Sequence, residues 1–268
     1  MAFKEKGNTD MVMRKEIIIT DWDGVLQQID KAWCYALLLA RKDLEPYFDY
    51  SKLENYGYKD FILDLFNRKE YYLNKWLLRP EYNELPGELY RYFMGLYANN
   101  DHFYEGCDFL SMMDGIAGMS KQNFVKEIII LTQVPYSNGR DLRKEKIFEE
   151  KIKPIAPDKF KLVQLKNNES KADWIKENKP DFTVFIDDRA EIIMEVVQKC
   201  EIFEKIFYMP MYGYNEFLIE NEEFIKAVDR RGAQFSVFPV QIITTSPEDI
   251  IDLEKEQKEL LKNLGIRK

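Results

Sequence analysis

The chain has 268 residues, enough for one large domain or a core with a smaller insert, and a chain of this size needs no covalent staple to hold a core. Its 39 Lys and Arg stand against 47 Asp and Glu, a net charge of −8 with no basic block, which excludes sequence-independent binding to duplex nucleic acid and gives no pull toward an anionic membrane. Three scattered cysteines, Cys34, Cys107 and Cys200, and a single histidine, His102, exclude disulfide frameworks, CxxC motifs and multi-histidine zinc sites, so the chemistry falls to carboxylates in a reducing compartment.

Residues 1–15 are polar and mixed in charge, without the order of a secretory signal, and no apolar run reaches the roughly 18 residues that span a bilayer. A cytoplasmic protein is expected. The β-branched run Ile17-Ile18-Ile19-Thr20 then reads as a strand buried on both faces, as in a parallel sheet, and it ends abruptly at Asp21-Trp22-Asp23-Gly24. From about 28 to 100 the pattern is helical and aromatic, with Trp33, Leu37 and Leu38, then Phe61, Ile62, Leu65 and Phe66. Arg79-Pro80 and Pro86-Gly87 divide it into several helices. Tyr104, Cys107, Leu110 and Met113 recur at roughly helical spacing, while Gly115, Gly118 and Ser120 signal a turn.

Phe124 to Leu131 repeats the first design, an apolar strand closing on a polar residue, Thr132. Asn138 precedes a charged helical segment whose Arg140, Arg143 and Lys144 read as a solvated face, with guidance of an anionic substrate as the alternative. Phe160 to Leu165 is a third strand, and Ser170 caps a helix that opens with Lys171. Phe182 to Ile186 is a fourth strand, ending in Asp187-Asp188-Arg189, followed by a helix over Ala190 to Cys200 and a fifth strand over Ile206 to Met209. Residues 236–244 read as a last strand or an edge hairpin. Ser246-Pro247-Glu248-Asp249 carries the cap, first-turn proline and acids of a terminal helix running to Gly265.

Strands separated by helical segments imply an α/β fold with a parallel sheet, and short right-handed crossovers bring such strand ends together. Asp21, Asp23, Asp187 and Asp188 would then converge with Thr132 at the carboxyl edge of the sheet, where open α/β sheets bind ligands. Four carboxylates in one place repel one another unless a cation neutralises them, and a hard, oxygen-liganded ion such as Mg²⁺ meets that need. Lys171 or Lys166 can add a positive charge for a phosphoryl group.

The stretch Ile17 to Leu26, with Asp21-Trp22-Asp23-Gly24 at its centre, resembles the first motif of the haloacid dehalogenase-like phosphatases, an apolar strand followed by DxDG. Ile128 to Thr132 is similar to their second motif, and Phe185-Ile186-Asp187-Asp188 to their fourth, with a lysine between the two. The resemblance spans residues 17–189. It implies a Rossmann-like core, residues 1–27 and 101–268, and an inserted helical cap, residues 28–100.

The same resemblance implies that Asp21 attacks phosphorus and becomes an aspartyl phosphate, and that Asp23 protonates the leaving oxygen and later activates water. Thr132 would bind phosphoryl oxygens and Lys171, or alternatively Lys166, would hold phosphate and nucleophile together. Mg²⁺ would be held by Asp21, the backbone carbonyl of Asp23, and Asp187, with Asp188 close by. Asp187-Asp188-Arg189, with Met209-Pro210 and Asn215 beyond, is also similar to the 5′-deoxyribonucleotidase branch. This implies a small phosphorylated substrate, a nucleoside monophosphate, with Trp33, Phe48, Tyr50, Tyr71, Tyr72 and Trp76 as a base-stacking surface or as packing between cap helices. A non-catalytic binding module, or a phosphatase or phosphotransferase working on a polynucleotide end or another small phosphate, is the alternative.

Overall fold

The computed structural model describes residues 15–53, 64–65, 67–99, 103–104, 107, 109–136 and 138–239. Expectations for Phe61, Ile62, Phe66, His102 and the terminal helix fall outside these residues. Six strands form one all-parallel sheet: β1 (Glu16–Thr20), β2 (Val125–Val134), β3 (Phe160–Lys166), β4 (Val184–Ile186), β5 (Ile206–Met211) and β6 (Gln234–Pro239). Their order, β3-β2-β1-β4-β5-β6, is that of a Rossmann-like doubly wound sheet.

The isoleucine run of β1 is central because it can be buried on both faces. Ile17 and Ile19 pack with Ile129, Phe185 and Phe207 on one side, against helices α7 (Lys171–Asn178) and α8 (Ala190–Lys199). Ile18 turns the other way, to Ile128, Ile130 and Met113, under α5 (Ser111–Ser120) and α6 (Leu142–Ile147). Alternation by two residues thus feeds two cores from one strand. Each fully buried aliphatic side chain contributes roughly 1.5–3 kcal/mol.

Between β1 and β2 the described residues hold helices α1 (Asp30–Leu39), α2 (Arg41–Leu44), α3 (Leu73–Leu77) and α4 (Gly87–Ala98). They surround a cluster of their own, with Leu37, Phe48, Tyr50, Leu77 and Phe93 at its centre. Phe48 and Tyr50 are therefore packing residues, and Trp33 stacks on Phe93 with ring centres 4.7 Å apart. This helical insertion presses on the loop after β5. A β-carbon at Gly213 would lie 2.3 Å from the carbonyl oxygen of Asn67, so only glycine fits there.

Three local expectations are corrected. Gly115 and Gly118 lie inside α5 and mark no turn, because Met113, Ile116 and Ser120 give the helix a buried face that outweighs the cost of the glycines. Before it, the described residues Tyr104, Cys107, Phe109 and Leu110 are not helical: Phe109 bridges to Gln27 and the amide of Leu110 donates to the carbonyl of Leu26. At the other end, β6 pairs parallel with β5 from Gln234, two residues earlier than the sequence suggests, because Phe235 packs against the core beside Phe224. Short α9 (Glu216–Ile219) and α10 (Glu222–Arg230) make the crossover. No helix among the described residues is long and apolar enough to cross a membrane.

Candidate active site

The strand order places the carboxyl ends of β2, β1 and β4 side by side. Thr20 pairs with Ile130 on one flank and with Ile186 on the other, so Asp21, Thr132 and Asp187 leave the sheet at one edge. The strand order reverses between β1 and β4, the crevice where such folds bind ligands. Asp21 is held at once by local bonds: its Oδ1 accepts from the amide of Trp22 at 2.7 Å. Trp22 is wholly buried, and its indole donates to Gln27 at 2.8 Å, while Gln27 donates to the carbonyl of Cys107 at 3.0 Å.

Gly24 has φ +74°, and a β-carbon there would lie 2.3 Å from Oδ2 of Asp188. The turn after β1 therefore needs glycine for its backbone angle and for the room that Asp188 takes. Gly24→Ala is expected to cost both terms, about 1–2 kcal/mol for the angle alone. Thermal unfolding should show a clear loss of stability. An unshifted melting temperature would contradict the close approach.

Lys171 opens α7 beside Ser170, whose hydroxyl caps the helix by accepting from the Asp173 amide at 3.0 Å. Its ammonium lies 2.7 Å from Asp187 Oδ2 and 2.9 Å from Asp21 Oδ1. Burial alone would lower the Lys171 pKa, but the two carboxylates overcome it and hold the group protonated well above its usual range. Lys166 is exposed at the end of β3 and does not share this contact.

Burial raises the carboxyl of Asp187 to about 6 against the pull of Lys171, with Asp21 adding to the rise. Asp188 is pushed well up by burial and then by Asp187 and Asp21. One oxygen from each of Asp21, Asp187 and Asp188 falls within a 4.8 Å group, and Oδ1 of Asp188 is buried with no hydrogen-bond partner. An all-carboxylate donor set with an orphaned oxygen fits a hard divalent cation such as Mg²⁺. Asp188 is otherwise fixed from the β5–α9 loop, by Tyr214 Oη at 3.0 Å and by Asn215, which donates to its carbonyl at 2.6 Å.

Lys144 corrects the reading of a solvated helix face. Arg140 is exposed, but Lys144 is completely buried, with Nζ 2.6 Å from Asp23 Oδ2 and 2.8 Å from Thr132 Oγ1. Rings of Trp22 and Tyr104 flank it, each 5.7 Å away. Asp141, Lys144, Phe148 and Ile152 are the buried positions of this segment, a helical stripe visible in the sequence once a lysine is allowed on it. Arg143 is also engaged, bonding Asp141, the carbonyl of Tyr97 and the hydroxyl of Tyr136. The carboxyl of Asp23 is raised by burial, with Lys144 pulling it down and Asp21 pushing it up. Four carboxylates thus face two ammonium groups. With all four ionised the excess is two negative charges, which is what a divalent cation would neutralise.

A cleft of about 230 Å³ adjoins these acids, lined by Asp23, Gly24 and Asp188 and by Trp33, Tyr71 and Tyr72 of the helical insertion. Tyr71 packs edge-on against Tyr214, and the Arg189 guanidinium lies over it at 5.1 Å. Tyr72 is half exposed at the mouth. Trp76 does not line the cleft.

No protein-family model matches the sequence, and no curated protein matches it. One similar solved structure is a haloacid dehalogenase-like family hydrolase from Xanthomonas campestris, 12% identical over 94% of each chain with a TM-score of 0.35. At that likeness the functional reading rests on this chain's own residues.

Proposed function

We propose that this protein is a Mg²⁺-dependent phosphomonoester hydrolase of the haloacid dehalogenase type, acting through an aspartyl phosphate in the cytoplasm. The observation that carries the reading is the way Asp21 is held. Trp22 and Lys171 both occupy Oδ1, which leaves Oδ2 as the nucleophilic oxygen, at the sheet edge that also carries Thr132.

In this reading Oδ2 of Asp21 attacks phosphorus, the bond to the leaving oxygen breaks, and Asp23 supplies the proton that oxygen takes up. Asp23 then accepts a proton from the water that hydrolyses the acyl phosphate. Thr132, Lys171 and Lys144 bind the phosphoryl oxygens, placing a hydroxyl and two positive charges where negative charge develops. Asp21, Asp187, Asp188 and the backbone carbonyl of Asp23 would hold Mg²⁺, which supplies charge neutralisation for an anionic substrate. Residues 28–100 serve as a cap over a core of 1–27 and 101–268, excluding water and selecting the leaving group.

The substrate class we favour is a nucleoside 5′-monophosphate. Its support is the aromatic wall of the cleft, since Trp33, Tyr71 and Tyr72 offer flat apolar surface with polar edges to a base. Phosphate release is to be measured with and without Mg²⁺ on nucleoside monophosphates, sugar phosphates and a 5′-phosphorylated oligonucleotide. Release from nucleoside monophosphates that chelation abolishes is the expected result. Release from the oligonucleotide in preference would replace the substrate class, and no release from any of them would overturn the reading.

A further inference from the structure

The lining of the cleft includes an ion pair that the proposed chemistry does not use. Asp30, the first residue of α1, lines the wall with its side chain 15% exposed, and Arg68 lies against it at 4% exposure, Nη2 to Oδ1 at 3.0 Å. The guanidinium is spent on the protein itself. Nε donates to the carbonyl of Glu70 at 3.0 Å, Nη1 to that of Leu65 at 2.6 Å, and Nη2 to that of Tyr71 at 3.2 Å as well as to Asp30. Its flat face lies over the Tyr214 ring at 5.2 Å.

Arg68 is the one cation among the described residues that line the cleft, and it is engaged by Asp30 and by three backbone carbonyls. What the wall presents instead is the Asp30 carboxylate, the more exposed member of the pair. A carboxylate in a narrow cleft accepts a hydrogen bond from a hydroxyl or amine on the leaving group and repels a phosphate at the same place. Its energetic weight is greater than in open water because the aromatic walls lower the local dielectric.

We propose that Asp30 is a specificity-determining residue that restricts the leaving group to one without a second charge, so that the site takes nucleoside monophosphates and refuses nucleoside bisphosphates. The inference rests on the phosphatase reading above and adds to it which monoesters are turned over. A purely structural role for Asp30, as an acid in the first turn of a helix, predicts no such discrimination.

The experiment compares kcat/KM of the full-length protein with Mg²⁺ on a nucleoside 5′-monophosphate and on the corresponding nucleoside 3′,5′-bisphosphate. Like charges set against each other in an enclosed site separate two ligands by about 100-fold, and the wild type is expected to favour the monophosphate by that margin. Asp30→Asn should shrink the ratio at least about tenfold, and the ratio, unlike the rate, is not moved by a general loss of folded protein. Should Asp30→Asn fail to fold with Arg68 left unpaired, the double variant Asp30→Asn/Arg68→Gln provides an amide pair without either charge and should shrink the ratio in the same direction. A ratio that neither variant moves, or a wild type that turns over both substrates equally, overturns the inference and leaves the phosphatase reading standing. No turnover of any monoester overturns both.

Discussion

Asp21→Asn is expected to abolish phosphate release, by at least about 10⁴-fold in kcat, the scale of losing a nucleophile whose partners cannot replace it. The substitution is nearly isosteric, and the amide oxygen can still accept from the Trp22 amide and from Lys171, the two contacts that fix the native side chain. What it removes is the second carboxylate oxygen, which is the proposed attacking atom. It also removes one of four carboxylates crowded around two lysines, so the metal-free variant should melt at or above the wild-type temperature. Inactivity with an intact melting transition is the expected pair of results. Substantial turnover by the folded variant would remove Asp21 from the nucleophile role.

Lys144→Met carries the second large effect. The ammonium joins Asp23 to Thr132 at 2.6 and 2.8 Å, the proposed acid/base to the proposed phosphoryl-binding hydroxyl. Without it the cluster carries one more uncompensated negative charge toward an anionic substrate, and Asp23 loses the partner that orients it. A loss of about 100-fold in kcat/KM is expected, the scale of deleting one charged donor at a developing oxyanion, with a rise in KM contributing. Methionine fills much of the lysine's volume between Trp22 and Tyr104, so the fold should persist. Lys166→Met, at an exposed position outside the site, is the control and should stay within about twofold of wild type. Steady-state kinetics on the best substrate separates these cases. A Lys144→Met protein within about threefold of wild type would show that the contact serves structure alone.

The parts of this molecule that are legible in the sequence are those in which one physical demand acts alone. Ile17 to Thr20 and Ile128 to Leu131 must be buried on both faces, and only a central parallel strand offers that. Polar residues at the ends of such strands then have one place to go, which is why the pattern of residues alone brings Asp21, Thr132 and Asp187 together. Gly24 is legible for its turn, though not for the space that Asp188 requires beside it.

The remainder depends on contacts that local pattern does not encode. Lys144 reads as solvated because lysine alone rarely goes inside, yet here Asp23, 121 residues away, and Thr132 make burial favourable. The pairing of Asp30 with Arg68 spans the helical insertion and leaves no periodic trace. Gly115 and Gly118 mislead for the opposite reason: their local preference for a turn is overridden by the packing of Met113 and Ile116. The aromatic content of the insertion is plain, but which rings pack and which face the cleft is decided only by the fold. Phe48 and Tyr50 go to the core, whereas Tyr71 and Tyr72 line the cleft.

The central claim is that Asp21 becomes covalently phosphorylated, and acid quenching during turnover of a ³²P-labelled monophosphate tests it directly. Wild-type protein with Mg²⁺ should retain label that survives acid, is released by hydroxylamine as an acyl phosphate must be, and maps to the peptide carrying Asp21. Asp21→Asn should retain none. Turnover that proceeds without label on that peptide, with phosphate passing straight to water, would contradict the account.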